Sequence, residues 1–96
     1  MKEIQQILMK LKESKAYLQS KYGVKELAVF GSFARDEQKA ESDVDILVTM
    51  EQPLGLEFVD LALELEKILQ QRVDLVSSGG IKPKYLEEIK KEMRYA

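Results

Sequence analysis

Two short apolar runs, each joined to small or acidic residues, constrain the fold of this chain more than any other feature. Residues 27–30 end at a Gly-Ser pair, Gly31-Ser32. Residues 44–49 follow Asp43 and contain Asp45. Because side chains alternate between the two faces of a strand, Asp43 and Asp45 project from one face with their Cα atoms about 6.6 Å apart. The pattern predicts two buried strands, one ending in a tight turn and the other presenting paired carboxylates.

The remaining sequence supplies helices and a third strand around these two runs. An apolar helical spacing before Gly23 predicts a first helix, and the broad apolar face of residues 58–69 predicts another that covers a sheet. Residues 72–76 read as a strand, and Pro83 suits the first turn of a final helix. With a short helix expected after Ser32, the order is α-β-α-β-α-β-α. This order indicates an α/β or α+β fold with one small three-stranded sheet flanked by helices.

Size and composition narrow the function classes. The chain has 96 residues, which fit one domain spanning residues 1–96. It has 15 basic and 17 acidic residues mixed along its length, so stable binding to nucleic acid or to an anionic membrane is not expected. It contains neither cysteine nor histidine, which excludes catalysis by Ser-His or Cys-His pairs. Carboxylates, lysines, tyrosines and a bound metal remain as acid-base groups.

The compartment and assembly follow from weaker signals. The N-terminal residues 1–6 carry no long apolar run, so neither a signal peptide nor a membrane span is expected there. The absence of cysteine agrees with a reducing compartment, and we expect a cytoplasmic protein. A chain of this size is expected to associate with itself or with a partner, without a predicted stoichiometry.

A third carboxylate extends the acidic pair. Asp74 lies between Val73 and Leu75, where a charge is costly unless it sits at a strand end or faces a metal. Magnesium prefers oxygen ligands, and two ions about 4 Å apart would turn the repulsion of three carboxylates into a clamp for phosphoryl transfer. We therefore predict Asp43, Asp45 and Asp74 as metal ligands and catalytic residues.

The Gly-Ser pair predicts the phosphate side of the same site. Gly31 would let backbone N–H groups approach a phosphate closely, and Ser32 adds a hydroxyl donor. Arg35, one turn further on, has forked donors that reach phosphate oxygens. A solvated surface position is an equal alternative for Arg35, and Asp74 has the alternative of an edge-strand carboxylate paired with a lysine.

The combination resembles a known family. Gly31-Ser32, ten intervening residues and then Asp43-Val44-Asp45 are similar to the signature of the DNA polymerase β-like nucleotidyltransferase superfamily. The short chain more narrowly resembles the minimal nucleotidyltransferases of the MNT or MntA type, which are encoded beside HEPN-domain toxins. The family often has glycine after the arginine, where this chain has Asp36, a residue that tolerates left-handed backbone.

The resemblance implies a fold, a reaction and a partner. It implies the nucleotidyltransferase fold with a mixed sheet, two Mg²⁺ ions on Asp43 and Asp45, and Asp74 as the third carboxylate that helps to deprotonate the attacking hydroxyl. It also implies an antitoxin that transfers AMP from ATP to a tyrosine hydroxyl of a HEPN-type toxin. Two alternatives stay open: a catalytically silent antitoxin that acts by binding alone, and transfer of a nucleotide to a small-molecule hydroxyl. The residues do not specify the acceptor, the number of AMP units or the base preference.

Overall fold

Helix α1, Ile4–Tyr22, opens the part of the chain that the computed structural model describes, residues 3–96. Met1 and Lys2, which the predicted domain includes, lie outside the described residues. The helix ends where the sequence predicts, at Gly23, which has a φ of 74°. The Gly23 N–H donates to the Gln19 carbonyl at 3.0 Å, which completes a left-handed cap.

The sheet is mixed and has four strands. They are β1 (Val24–Phe30), β2 (Val44–Met50), β3 (Val73–Ser77) and β4 (Arg94–Tyr95), in the order β3-β2-β1-β4. Strand β1 runs antiparallel to β2 and β4, whereas β2 and β3 are parallel. The predicted mixed α+β fold class is confirmed. The predicted number of three strands is wrong, because β4 adds a short edge strand beside β1.

Two further element boundaries differ from the sequence-based prediction. Residues 31–36 form turns in place of a short helix, and Asp36 there has a φ of 58°, which interrupts right-handed helical backbone. The apolar spacing of Leu86, Ile89 and Met93 predicts a final helix that reaches Met93, but helix α3 spans only Pro83–Lys90. The chain then turns back, and the Ala96 N–H donates to the Leu27 carbonyl at 3.0 Å. The last strand therefore forms because it pairs with β1, since a two-residue segment has no strand pattern of its own.

The two faces of the sheet are covered unequally. Helices α1 and α2 (Glu57–Leu69) pack on one face, and their contribution to the core includes Ile7, Leu11, Leu18, Leu61, Leu65 and Leu69. On the other face, a smaller cluster joins Phe30 and Leu47 to Ile89 of α3. Val59, which belongs to the apolar segment 58–69, is 58% exposed, so the buried face of α2 is narrower than that segment predicts. The shortness of α3 leaves the end of the sheet next to the Gly-Ser turn open.

The helices show no membrane-crossing character. No helix within residues 3–96 is long and apolar enough to span a bilayer.

Candidate active site

The parallel pairing of β2 and β3 brings two of the predicted carboxylates side by side. Asp45 is opposite Asp74 in the register, and Val44 is opposite Val73. Val44 and Val73 contribute to the core under α1 and α2, so alternation places Asp45 and Asp74 on the other face. There Asp45 is half-buried and Asp74 is exposed. The pair stands at the open end of the sheet, beside the turn that follows β1.

The environment of Asp45 disfavours its charge. Burial, followed by the negative charges of Asp74 and Asp43 and a hydrogen bond with Asp74, raises the pKa of Asp45 from its ordinary value of 3.8 to about 6. Neighbouring carboxylates whose charges repel one another form a donor set that suits a hard cation, since a cation removes that repulsion. The Asp45–Asp74 pair therefore fits a magnesium ion by its chemistry.

Asp43 lies on the same side of the sheet but has a partner of its own. Its Oδ1 is 3.1 Å from Nε of Arg72, the residue just before β3. Arg72 also donates from Nη2 to the Glu41 carbonyl at 2.7 Å, which ties the loop before β2 to β3. Within residues 3–96, no three acidic side chains are close enough together to hold a metal ion. The structure thus brings Asp45 and Asp74 together and leaves Asp43 on Arg72.

Gly31 is required by the Asp45 carboxylate. Phe30 at the end of β1 pairs with Asp45, so the next residue passes directly over the Asp45 side chain. A Cβ atom on Gly31 would lie 2.0 Å from Asp45 Oδ2, and the φ of Gly31 is 75°. A side chain here would strain the backbone and force the Asp45 carboxylate to move. The glycine predicted for its closeness to phosphate is also the residue that lets the turn and the carboxylate pair share one site.

The donors of the turn converge on a glutamate from the far end of the chain. The Gly31 N–H donates to Glu92 Oε2 at 3.0 Å, and Arg35 Nη1 donates to the same oxygen at 2.6 Å. Arg35 Nε donates to Glu37 Oε1 at 2.8 Å. The hydrogen bond from Arg35 to Glu37, and to a smaller extent the one to Glu92, raises the pKa of Arg35 above its ordinary value. The alternative for Arg35 was a solvated surface position. Its side chain is 47% exposed but is held by two glutamates.

A cavity of about 420 Å³ joins these groups. Five of the six predicted site residues line it, and Asp43 does not. The lining residues are Phe30, Gly31, Ser32, Arg35, Asp45, Asp74, Val76, Ile81, Tyr85, Ile89 and Glu92. The lining therefore combines polar groups from the strands and the turn with an apolar wall made by Ile81, Tyr85 and Ile89.

Sequence reasoning missed three residues of this site, Glu92, Arg72 and Tyr85. Glu92 belongs to a run of charged residues near the end of α3, where charge patterning indicates only a solvated face. Arg72 was counted as part of the third strand, and its link to Asp43 depends on a strand register that no local pattern specifies. The apolar flanks of Asp74 were the only sequence signal that pointed across the sheet.

Paired carboxylates on neighbouring strands thus lie beside a glycine turn at the open end of a small mixed sheet. The chain belongs to the nucleotidyltransferase domain family, whose model matches residues 11–96. It is an enzyme of the nucleotidyltransferase type.

The relatives make the assignment more specific. The chain is 41% identical over 96 residues to the protein adenylyltransferase MntA of Thermococcus cleftensis, covering 99% of this chain and 94% of that protein. It is also similar to a solved structure named as a minimal nucleotidyltransferase, at a TM-score of 0.79 and 34% identity, over 97% of this chain and 95% of the other. The resemblance to minimal nucleotidyltransferases of the MntA type is thereby confirmed.

A more distant structure shares the fold. It is described as a tri-AMPylated Shewanella oneidensis HEPN toxin in complex with MNT antitoxin. The TM-score is 0.67 at 19% identity, and the likeness covers 93% of this chain and 70% of that one.

Proposed function

We propose that this enzyme transfers AMP from ATP to a tyrosine hydroxyl of a HEPN-type toxin in a Mg²⁺-dependent reaction, and that it acts as the antitoxin of that toxin. The observation that carries the proposal is the adjacency of Asp45 and Asp74 at a cavity bordered by Gly31. Similarity to the Thermococcus cleftensis protein adenylyltransferase supports AMP transfer to a protein. The likeness to the MNT antitoxin in its complex with a HEPN toxin supports the kind of partner. Because the reaction consumes ATP, we expect it in the cytoplasm.

The residues that would hold magnesium are Asp45 and Asp74, joined by Asp43 once its carboxylate leaves Arg72. When bound, the two ions would supply positive charge that balances the triphosphate and lowers the pKa of the acceptor hydroxyl. We assign the polyphosphate to Gly31 and Ser32, because an N–H beside a left-handed glycine and a hydroxyl are suitable donors to phosphate oxygens.

The nucleoside belongs at the apolar wall of the same cavity. Tyr85 is 59% exposed there, next to Ile81 and Ile89, and an exposed aromatic ring provides a stacking surface for a base. This position puts the α-phosphate between the apolar wall and the carboxylate pair.

The chemical step is an in-line displacement at the α-phosphorus. The acceptor oxygen forms a bond to that phosphorus, the bond from the phosphorus to the bridging oxygen of the β-phosphate breaks, and pyrophosphate leaves. The proton of the acceptor hydroxyl passes to the Asp74 carboxylate, which is exposed and faces the cavity. Positioning of the two reactants supplies much of the expected acceleration.

The experiment that tests the proposal measures label transfer from ATP labelled at the α-phosphate to the cognate HEPN-type protein in the presence of Mg²⁺. The wild type should label its partner and suppress its ribonuclease activity, and Asp43→Asn combined with Asp45→Asn should abolish both effects. Asp60→Asn, an exposed carboxylate on α2, is the matched control and should behave as the wild type.

The same experiment separates the two routes to neutralisation. If the double variant still neutralises the toxin without transferring label, the antitoxin acts by binding. If the wild type transfers no label to the toxin, the proposed reaction is wrong.

A further inference from the structure

The Glu92 carboxylate occupies the Gly31 N–H, to which the proposed function assigns polyphosphate, and also binds the Arg35 guanidinium. One oxygen, Oε2, accepts from the Gly31 N–H at 3.0 Å and from Arg35 Nη1 at 2.6 Å. The Glu92 side chain is 26% exposed and lines the same cavity as Asp45 and Asp74. A backbone N–H at a left-handed glycine and a guanidinium are the donors that phosphate oxygens use in proteins. The carboxylate therefore binds donors that suit a phosphate oxygen and carries a charge of the same sign.

We propose that Glu92 is an internal competitor of the nucleotide: its carboxylate holds the Gly31 amide and Arg35 in the empty site and must leave them when polyphosphate binds. The inference rests on the proposed function in one respect, the position of the phosphates at Gly31. It makes Glu92 a residue that sets the affinity for the nucleotide, without contact to the reacting atoms.

The surroundings of Glu92 allow this exchange. The residue follows α3 in a turn that ends at β4, so its side chain can swing out without breaking a helix or the sheet. The backbone beyond it is fixed, because the Ala96 N–H is bonded to the Leu27 carbonyl. Arg35 keeps its second bond, from Nε to Glu37, while Nη1 changes its acceptor. The exchange thus frees one amide and one guanidinium nitrogen and leaves Arg35 oriented.

Electrostatics favours the same interpretation. Asp45, Asp74 and Glu92 surround a cavity in which Arg35 is the one cationic lining residue within residues 3–96. A polyphosphate entering this cavity meets repulsion from Glu92 in addition to losing access to the Gly31 N–H. Removal of the Glu92 charge should abolish the repulsion and weaken the competing hydrogen bond at the Gly31 N–H, whereas removal of a distant charge should do neither.

The test compares Glu92→Gln with Glu88→Gln. Gln at position 92 keeps an oxygen that accepts from Gly31, so the turn retains its hydrogen bond while the charge is lost. Glu88 is on α3 with a 68% exposed side chain, and its change alters the net charge by the same amount. Binding of inorganic tripolyphosphate and of a non-hydrolysable ATP analogue, each with Mg²⁺, is measured by calorimetry. The ¹H–¹⁵N signal of Gly31 reports where the ligand binds.

The expected result is that Glu92→Gln binds tripolyphosphate about tenfold more tightly than the wild type, in line with the loss of one charge-assisted contact, and that the Gly31 signal shifts on binding. Glu88→Gln should stay within about twofold of the wild type. Equal or weaker binding by Glu92→Gln would overturn the proposal, as would binding that leaves the Gly31 signal unchanged. Should Glu92→Gln unfold, Glu92→Asp, which shortens the reach to Gly31, should also bind more tightly.

Failure of this inference is distinguishable from failure of the proposed function. The titration needs neither the toxin nor turnover, so tighter binding by Glu92→Gln would support the competitor even if no label reaches the partner. If neither the wild type nor Glu92→Gln binds tripolyphosphate or the nucleotide, the inference falls, and the labelling experiment still reports independently on transfer.

Discussion

Asp45 combines two roles, because the environment that suits it to bind a cation also makes its ionisation costly in the absence of one. The folded chain binds the Asp45 proton more tightly than the unfolded chain between pH 3.8 and about 6. The free energy of unfolding of the metal-free protein therefore falls as pH rises through this window, because the unfolded chain loses this proton more readily than the folded chain. Above the window the ionised, half-buried carboxylate destabilises the fold.

Asp45→Asn should remove this pH-dependent contribution. In EDTA, urea denaturation should give a higher free energy of unfolding for Asp45→Asn than for the wild type above pH 6, with the difference absent below pH 3.8. Transfer activity should fall by about 100-fold or more, because the neutral amide no longer balances a cation. An equal slope of stability against pH in the two proteins would contradict the assignment.

Gly31 offers a second test at the residue scale, and Gly23 is its matched control. Both have a positive φ, 75° and 74°, but a Cβ on Gly23 has no atom within 4 Å, whereas one on Gly31 meets Asp45 at 2.0 Å. Gly23→Ala should cost about 1 kcal/mol from the left-handed backbone alone. Gly31→Ala should cost about 2–4 kcal/mol because the collision adds to that cost. Chemical denaturation of both variants measures the difference, and equal losses would show that the turn does not rest on the carboxylate.

At the scale of elements, local sequence patterns predicted the first helix and the central strands but missed contacts between residues far apart in the chain. The first helix ends at Gly23 as predicted, and the runs around Val29 and Ile46 form the central strands. Local signals could not identify β4, since Arg94–Tyr95 has no strand pattern of its own and forms a ladder only because β1 has a free edge. The same reason hid Arg72 and Glu92, whose partners are fixed by strand register and by the return of the chain.

Helices α1 and α2 are joined by a polar contact that sequence patterns also did not indicate. Glu64 of α2 accepts hydrogen bonds from the hydroxyls of Tyr17 and Tyr22, and Lys21 Nζ is 3.4 Å from its Oε2. The bonds from Tyr17 and then Tyr22 lower the pKa of Glu64 below its ordinary value of 4.5. A carboxylate with a lowered pKa stabilises the fold above pH 4.5, and this contribution disappears as pH falls through the folded-state value.

Glu64→Gln should lower the free energy of unfolding at neutral pH by about 1–2 kcal/mol, the cost of losing charge-assisted hydrogen bonds. Glu57→Gln, an exposed change on the same helix, is the control and should cost no more than about 0.5 kcal/mol. Thermal and urea denaturation of both variants measure the costs. A loss in Glu64→Gln as small as that of the control would show that the contact does not join the helices.

At the scale of the whole molecule, the unequal cover of the sheet explains why a small chain has room for a site. Two long helices bury one face, and the short α3 leaves the β1–β2–β3 end of the other face open. Strand alternation, a local rule, predicts Asp43 and Asp45 on one face, whereas Asp74 was predicted only from its apolar flanks. The union of Asp45 and Asp74 with Gly31, Arg35 and Glu92 in one cavity is a product of the tertiary fold. The chain has a net charge of −2, which gives no strong attraction for polyanions, so the donors of the site and a cation must supply the affinity.

The most direct measurement is a crystal structure with Mg²⁺ and an ATP analogue that is not cleaved at the α-phosphate. We expect cations on Asp45 and Asp74, Asp43 turned from Arg72 towards them, the polyphosphate on the Gly31 N–H, and Glu92 displaced. A nucleotide bound elsewhere, or an intact Asp43–Arg72 ion pair with no cation at Asp45, would contradict the account.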